Sequence, residues 1–164
     1  MSVPGECLQR AYLYLERNYD SEPPYSDDAL DQMFFEPAEV TARVGLAPTT
    51  AWRRGDPAPR HDRPPRRFSS WSYELPESST RDTEEVVTAL LDAIEPHAAG
   101  IAVARAELGL RAGVMVVIWL AGGRDRGDEV SFTTPALSFR ERTVQRLAAM
   151  GLSLDHDLYV EVPE

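Results

Sequence analysis

The stretch Val114-Met-Val-Val-Ile-Trp-Leu120 contains no polar residue and does not alternate. A strand that is apolar at every position has both faces covered, so this one belongs inside a sheet. Two helical segments precede it. Asp82, with Glu85 three residues on, has the form of a capping box, and Val86, Val87, Leu90, Leu91 and Ile94 follow at helical spacing. Pro96 interrupts the pattern and Ala98 to Leu108 resumes it, with Gly100 as a weak point. Beyond the strand, Gly122 to Gly127 reads as a hairpin turn and Glu129 to Thr134 as a returning strand. Ser138 with Glu141 predicts a second capping box, a buried stripe of Val144, Leu147 and Ala148, and a stop at Gly151. The last segment alternates. Leu152, Leu154, His156, Leu158, Val160 and Val162 share one face, which is predicted to be buried, and Ser153, Asp155, Asp157, Tyr159 and Glu161 share the other.

The N-terminal half fits the same scheme. Ala11 to Arg17 reads as a first strand, and Asn18 to Asp31, with Pro23, Pro24 and five acids, reads as a loop. Pro37 opens a helix that carries Val40 and Val44 on one face and stops at Gly45-Leu-Ala-Pro48. Thr49 to Arg53 and Phe68 to Leu75 are two further strands, the second with Ser69, Trp71, Tyr73 and Leu75 on one side. The resulting order, β-α-β-β-α-β-β-α-β, mixes hairpins with helical crossovers. It predicts a single α+β domain over residues 1–164, with its core over about 11–162: a mostly antiparallel sheet with helices packed on one face, ferredoxin-like or elaborated ferredoxin-like.

Composition narrows the function. Of 164 residues, 27 are Asp or Glu and 17 are basic, every one of them arginine, for a net charge of −10. That balance argues against a generally basic nucleic-acid binder and against attachment to an anionic membrane by charge. A single cysteine, Cys7, near an unanchored terminus and without an activating partner, excludes an internal disulfide framework or a cysteine zinc cage. No uninterrupted apolar stretch reaches the ~18 residues of a membrane span, and the N-terminus lacks a basic region followed by an apolar one, so a cytoplasmic location is expected. His61, His97 and His156 are scattered, and no metal-ligand pair, phosphate loop, dinucleotide fingerprint or nucleophile elbow is present, so neither a metal nor a cofactor is expected. A hydrolase would need a cleft that brings one of those histidines against a carboxylate.

Within the N-terminal half, Val44-Gly-Leu-Ala-Pro-Thr-Thr-Ala-Trp-Arg-Arg-Gly-Asp-Pro57 stands out. It resembles the signature of the DUF4279 family, uncharacterised bacterial domains: a helix, Gly-hydrophobic-x-Pro-Thr, an aromatic with basic residues, then Gly-Asp-Pro. Ser70-Trp71-Ser72-Tyr73, the helix from Asp82 and the closing segment Leu154 to Val160 agree with that pattern, and the resemblance spans most of residues 11–162. The acidic segment 20–31 is longer than the family pattern. The resemblance implies a fold and carries no activity with it.

Two surfaces are candidates for binding, which favours a binding module over an enzyme. The first is the motif itself: Trp52, Arg53, Arg54 and Asp56, with Trp71 and Tyr73 on the next strand, as a pocket for a small anionic ligand, the two indoles packed together and Arg53 stacked on one of them. The same residues also serve to fix a turn. The loop that follows makes residues 53–67 locally +4, against −14 for the rest of the chain. The second is the polar face of the last strand, Asp155, Asp157, Tyr159 and Glu161, as an acidic docking surface for a basic protein, of the inhibitor or immunity type. The same charges also protect a sheet edge.

Overall fold

A computed structural model describes residues 6–17, 24–60, 62–124 and 130–162. Its elements are β1 (Cys7–Glu16), α1 (Asp27–Gln32), α2 (Pro37–Val44), β2 (Thr50–Trp52), β3 (Ser70–Glu74), β4 (Ser78–Ser79), α3 (Thr83–Ile94), a 3-10 turn (Glu95–His97), α4 (Ala98–Leu108), β5 (Arg111–Ala121), β6 (Gly123–Arg124), β7 (Val130–Ser131), α5 (Glu141–Met150) and β8 (Ser153–Glu161). The six-stranded sheet is mostly antiparallel, in the order β2-β3-β1-β5-β8 with β4 beside β1. The α+β class and the internal position of β5 are as the sequence predicts. The Gly122 N–H donates to the Glu161 carbonyl at 2.9 Å, so the C-terminal ends of β5 and β8 lie together. The two strands therefore run parallel, with α5 supplying the crossover that parallel neighbours need.

The chain divides into two compact units, one of Met1–Tyr12, Glu74–Ala93 and Val114–Glu164, the other of Leu13–Tyr73 and Ile94–Gly113. In the first, α3 buries the predicted stripe Val86, Val87, Leu90 and Leu91. It meets β1 through a polar contact: the Thr83 hydroxyl donates to Gln9 Oε1 at 2.9 Å, while Gln9 Nε2 donates to the Thr80 carbonyl at 3.0 Å. Gln9 is fully buried, and nothing in its sequence neighbourhood announces it. Replacing Gln9 with Ala strands a buried hydroxyl and a partly buried carbonyl. The expected loss is about 3 kcal/mol in urea unfolding, and Gln9→Glu should restore none of it at neutral pH.

In the second unit, α2 and α4 come into close backbone approach at Gly100. A Cβ there would stand 2.4 Å from the Arg43 carbonyl oxygen and 2.7 Å from that of Val44. The weak point of the helical pattern is thus the point where α4 touches α2. Gly45, at φ 71°, ends α2 in the left-handed conformation as expected. The run Thr83–Leu108 has the length and mean hydropathy (1.4) of a membrane span, but Val86, Val87, Leu90, Leu91, Ile94 and Ile101, which supply much of that hydropathy, are buried within the fold.

Several expectations are corrected. Residues 27–31, read as the end of a loop, belong to α1, because the Ser26 hydroxyl accepts from the Ala29 N–H at 3.2 Å and Asp27 and Asp28 occupy the first turn. Asp82 caps α3 as expected, its Oδ1 accepting from the Glu84 N–H at 3.1 Å, but neither capping box closes reciprocally. Glu85 accepts from the Thr80 hydroxyl at 3.1 Å, and Thr80 Oγ1 in turn accepts from the Asp82 N–H. At α5 the cap comes from another helix: Glu84 Oε1 accepts from the Arg140 N–H at 3.0 Å and from the Thr143 hydroxyl at 2.7 Å. Helix α5 therefore buries Thr143 and Leu147, leaving Val144 and Ala148 exposed. Cys7 is the first residue of β1 and buried, and burial pushes its thiol pKa up against the opposing influence of Gln9 and Arg81. The returning strand shrinks to β7, which pairs with β6. The largest correction concerns the last strand: of the face expected to be buried, Leu152 is buried and Leu154 half-buried, but His156 is exposed and Leu158, Val160 and the following Val162 are 47–61% exposed. His61, Asp20, Glu22 and the tip of the Gly122–Gly127 turn lie outside the described residues.

Candidate functional site

The motif after α2 builds a turn first. Ala51 stands opposite Trp71 and Trp52 opposite Ser70 in the β2–β3 register, so the two indoles project to opposite sides of the sheet. They do not pack together. Trp71 is fully buried, its Nε1 donating to the Thr41 hydroxyl at 3.0 Å. Trp52 lies against Phe68, centroids 6.4 Å apart at 54°, and Arg66 rather than Arg53 covers its ring, 4.0 Å from the centroid. Gly55, at φ 92°, takes the conformation only glycine adopts freely.

The two motif arginines are engaged. The Asp56 carboxylate accepts from the Arg53 N–H at 2.9 Å and from Arg53 Nε at 3.1 Å, and the backbone contact above all holds the Asp56 pKa below the usual carboxylate range. Arg53 also lies 3.7 Å from Glu36. Arg54 pairs with Asp31 at 2.5 Å, and its N–H donates to the buried Ser69 hydroxyl. Trp52, Arg53 and Asp56 line a cleft of about 290 Å³ together with Glu36. Two carboxylates against one guanidinium leave that cleft without the positive charge an anion requires. Tyr73 is partly buried in β3.

The second candidate surface sits on β8. Tyr159 stacks on Trp119 of β5, centroids 5.7 Å apart at 19°. Arg10 of β1 lies 5.0 Å from the Trp119 centroid and pairs with Glu74 of β3 at 2.7 Å. A row Glu74–Arg10–Trp119–Tyr159 thus crosses four neighbouring strands on one side of the sheet. Asp155, Asp157 and Glu161, in phase with Tyr159, share that side and are exposed. Leu158, Val160 and Val162 share the other side, roughly half exposed. All four residues named for this surface fall on one face, as the alternation predicts. The sequence did not single out Arg10 and Trp119, whose pairing needs the strand order, nor the openness of the apolar side.

Other clusters are accounted for. A cavity of about 600 Å³ between α3 and α5 is lined by charges of both signs and bridged by Arg140–Glu84 at 3.3 Å and Arg146–Asp92 at 2.6 Å. The Thr143 and Arg140 contacts lower the Glu84 pKa. A carboxylate so depressed stabilises the fold above its unfolded pKa and stops doing so as pH falls through the folded value. Glu84→Gln is therefore expected to flatten the acid limb of the stability-against-pH curve, measured by thermal melts across the acidic range. An unchanged limb would place the acid sensitivity elsewhere. His97 Nδ1 lies 3.2 Å from the Val44 carbonyl. Among the described residues, no group of three His, Cys, Asp or Glu could hold a metal ion.

A family model described as "Domain of unknown function (DUF4279)" matches residues 29–161 of the chain. Searches of curated proteins and of solved structures gave no match.

Proposed function

Since the chain belongs to the DUF4279 family, whose description names no activity, we propose its function from its own surface: it is a protein-binding module that takes a basic, extended segment of a partner along the outer edge of β8. The observation that carries this reading is the two-sided exposure of an edge strand. β8 is nine residues long and ends the sheet, with acids on one face and open aliphatic side chains on the other. Edge strands are ordinarily kept short, covered or charged on their exposed faces, because their unpaired amides and carbonyls template further strands. Here only one face is charged. Pairing of β8 with a second copy in antiparallel register would set its acidic row against another acidic row, which is unfavourable. A strand with arginine or lysine at alternate positions and aliphatic residues between them satisfies both faces and the backbone edge at once.

The test is calorimetric titration with a peptide of alternating arginine and valine matched in length to β8. Affinity is expected to fall about tenfold or more as salt rises from ~0.05 to ~0.5 M, because exposed charges are screened. A Glu-Val peptide should not bind. Asp157→Arg with Glu161→Arg should abolish binding while leaving the melting temperature nearly unchanged. Binding that ignores salt, or survives that charge reversal, would sink the proposal.

A further inference from the structure

The loop after the motif is built, and its arginines differ from those of the motif. The Gly55 N–H donates to the Arg66 carbonyl and the Arg66 N–H to the Asp56 carbonyl, both at 2.8 Å, so two backbone bonds clasp the loop at its base. The Arg63 N–H donates to the Arg60 carbonyl at 3.1 Å, a backbone bond at the far end. Pro59, Pro64 and Pro65 fix the backbone between these points. The clasped loop bounds a cavity of about 500 Å³, within the range of small-molecule sites, with Trp52 and Phe68 on one wall and Arg60, Arg63, Arg66 and Arg67 around it. Among the described residues, no carboxylate lines it. Among the described residues, no ion pair joins any of those four arginines to an acid, whereas Arg10, Arg43, Arg53, Arg54, Arg111, Arg140 and Arg146 are all paired. The Trp52 indole N–H is buried without an acceptor among the described residues.

We infer that this cavity is a binding site for a small phosphate-bearing anion. Four guanidiniums lining one side of a clasped, proline-stiffened loop concentrate positive charge there, and planar forks suit phosphate oxygens better than point charges do. A stiff loop also loses little entropy on binding. A long nucleic-acid strand is disfavoured because the rest of the chain carries −14. A compact ligand meets only the local +4.

The experiment follows Trp52 fluorescence while pyrophosphate is added, with inorganic phosphate and, at matched ionic strength, sodium chloride as comparisons. Pyrophosphate is expected to give a saturable change, phosphate a weaker one and chloride none. Trp52→Phe should remove the signal, which assigns it to this site. Arg60→Ala with Arg63→Ala should weaken pyrophosphate binding at least ~tenfold, the scale of a lost charge-assisted bond, while Arg142→Ala on α5 should not. Because Arg60 and Arg63 are exposed, the double variant should melt as the parent does. A chloride response equal to that of pyrophosphate, or undiminished binding by the double variant, overturns the inference. So does a single-stranded RNA oligonucleotide that saturates the site at lower concentration than pyrophosphate, since the loop would then be a nucleic-acid surface.

Discussion

Trp71→Ala is expected to remove about 3–5 kcal/mol of stability, the usual cost of truncating a buried tryptophan. Trp71 is the largest fully buried side chain, and it also satisfies the Thr41 hydroxyl of α2. A domain of this size is stable by only about 5–15 kcal/mol, so the variant should lose roughly a fifth or more of its margin and melt ~6 °C or more lower. Trp71→Phe separates the two contributions. It keeps most of the apolar volume and loses the N–H to Thr41, so about 1–2 kcal/mol should go. If both variants unfold in urea at the parent's midpoint, Trp71 does not hold α2 to β3. Such a result would also reopen Trp71 as a ligand residue, a role its complete burial speaks against.

The second large effect runs against helix propensity. In an exposed helix interior, glycine to alanine stabilises by about 1 kcal/mol. At Gly100 of α4 the opposite is expected. The added methyl would meet the Arg43 and Val44 carbonyl oxygens and stand 2.8 Å from the Val44 Cα, all of them backbone atoms that cannot rotate aside. Only separation of α2 from α4 relieves the clash, and overpacking of this kind costs about 1–3 kcal/mol or more. Denaturant unfolding of Gly100→Ala gives the sign directly. Stabilisation would mean that α2 and α4 do not approach closely at this point.

These two positions show what the sequence made legible and what it did not. The run Val114 to Leu120 marked an internal strand, the spacing from Val86 to Ile94 marked the buried stripe of α3, and Gly45 marked the end of α2, because each is a local pattern with a local cause. Gly100 was legible only as a defect, since its cause lies on another helix. The same holds for the start of α5: Ser138 and Glu141 had the spacing of a cap, but Glu84 is the group that caps it. For β8, alternation sorted the residues correctly into two faces but carried no information on whether anything covers either one. Covering is a tertiary fact. For the motif, residue type pointed to Arg53 and Arg54 as anion ligands, whereas the pairing with Asp56, Glu36 and Asp31 commits them to the turn. The arginines that have no ion pair among the described residues sit a few residues further on, in a stretch that composition alone reads as a solvated loop.

The proposed function rests on the outer edge of β8, and amide hydrogen exchange across that strand tests it most directly. The Glu161 carbonyl points toward β5, so residues in phase with it, Asp157 and Tyr159, turn their backbone groups inward, and His156, Leu158 and Val160 turn theirs outward. In the free protein the outward amides should exchange fast and the inward ones slowly. On saturation with the Arg-Val peptide, the amides of His156, Leu158 and Val160 should become protected while the rest of the sheet is unchanged. Protection that appears elsewhere, or a bound peptide that leaves those three amides exchanging freely, would contradict strand addition at β8.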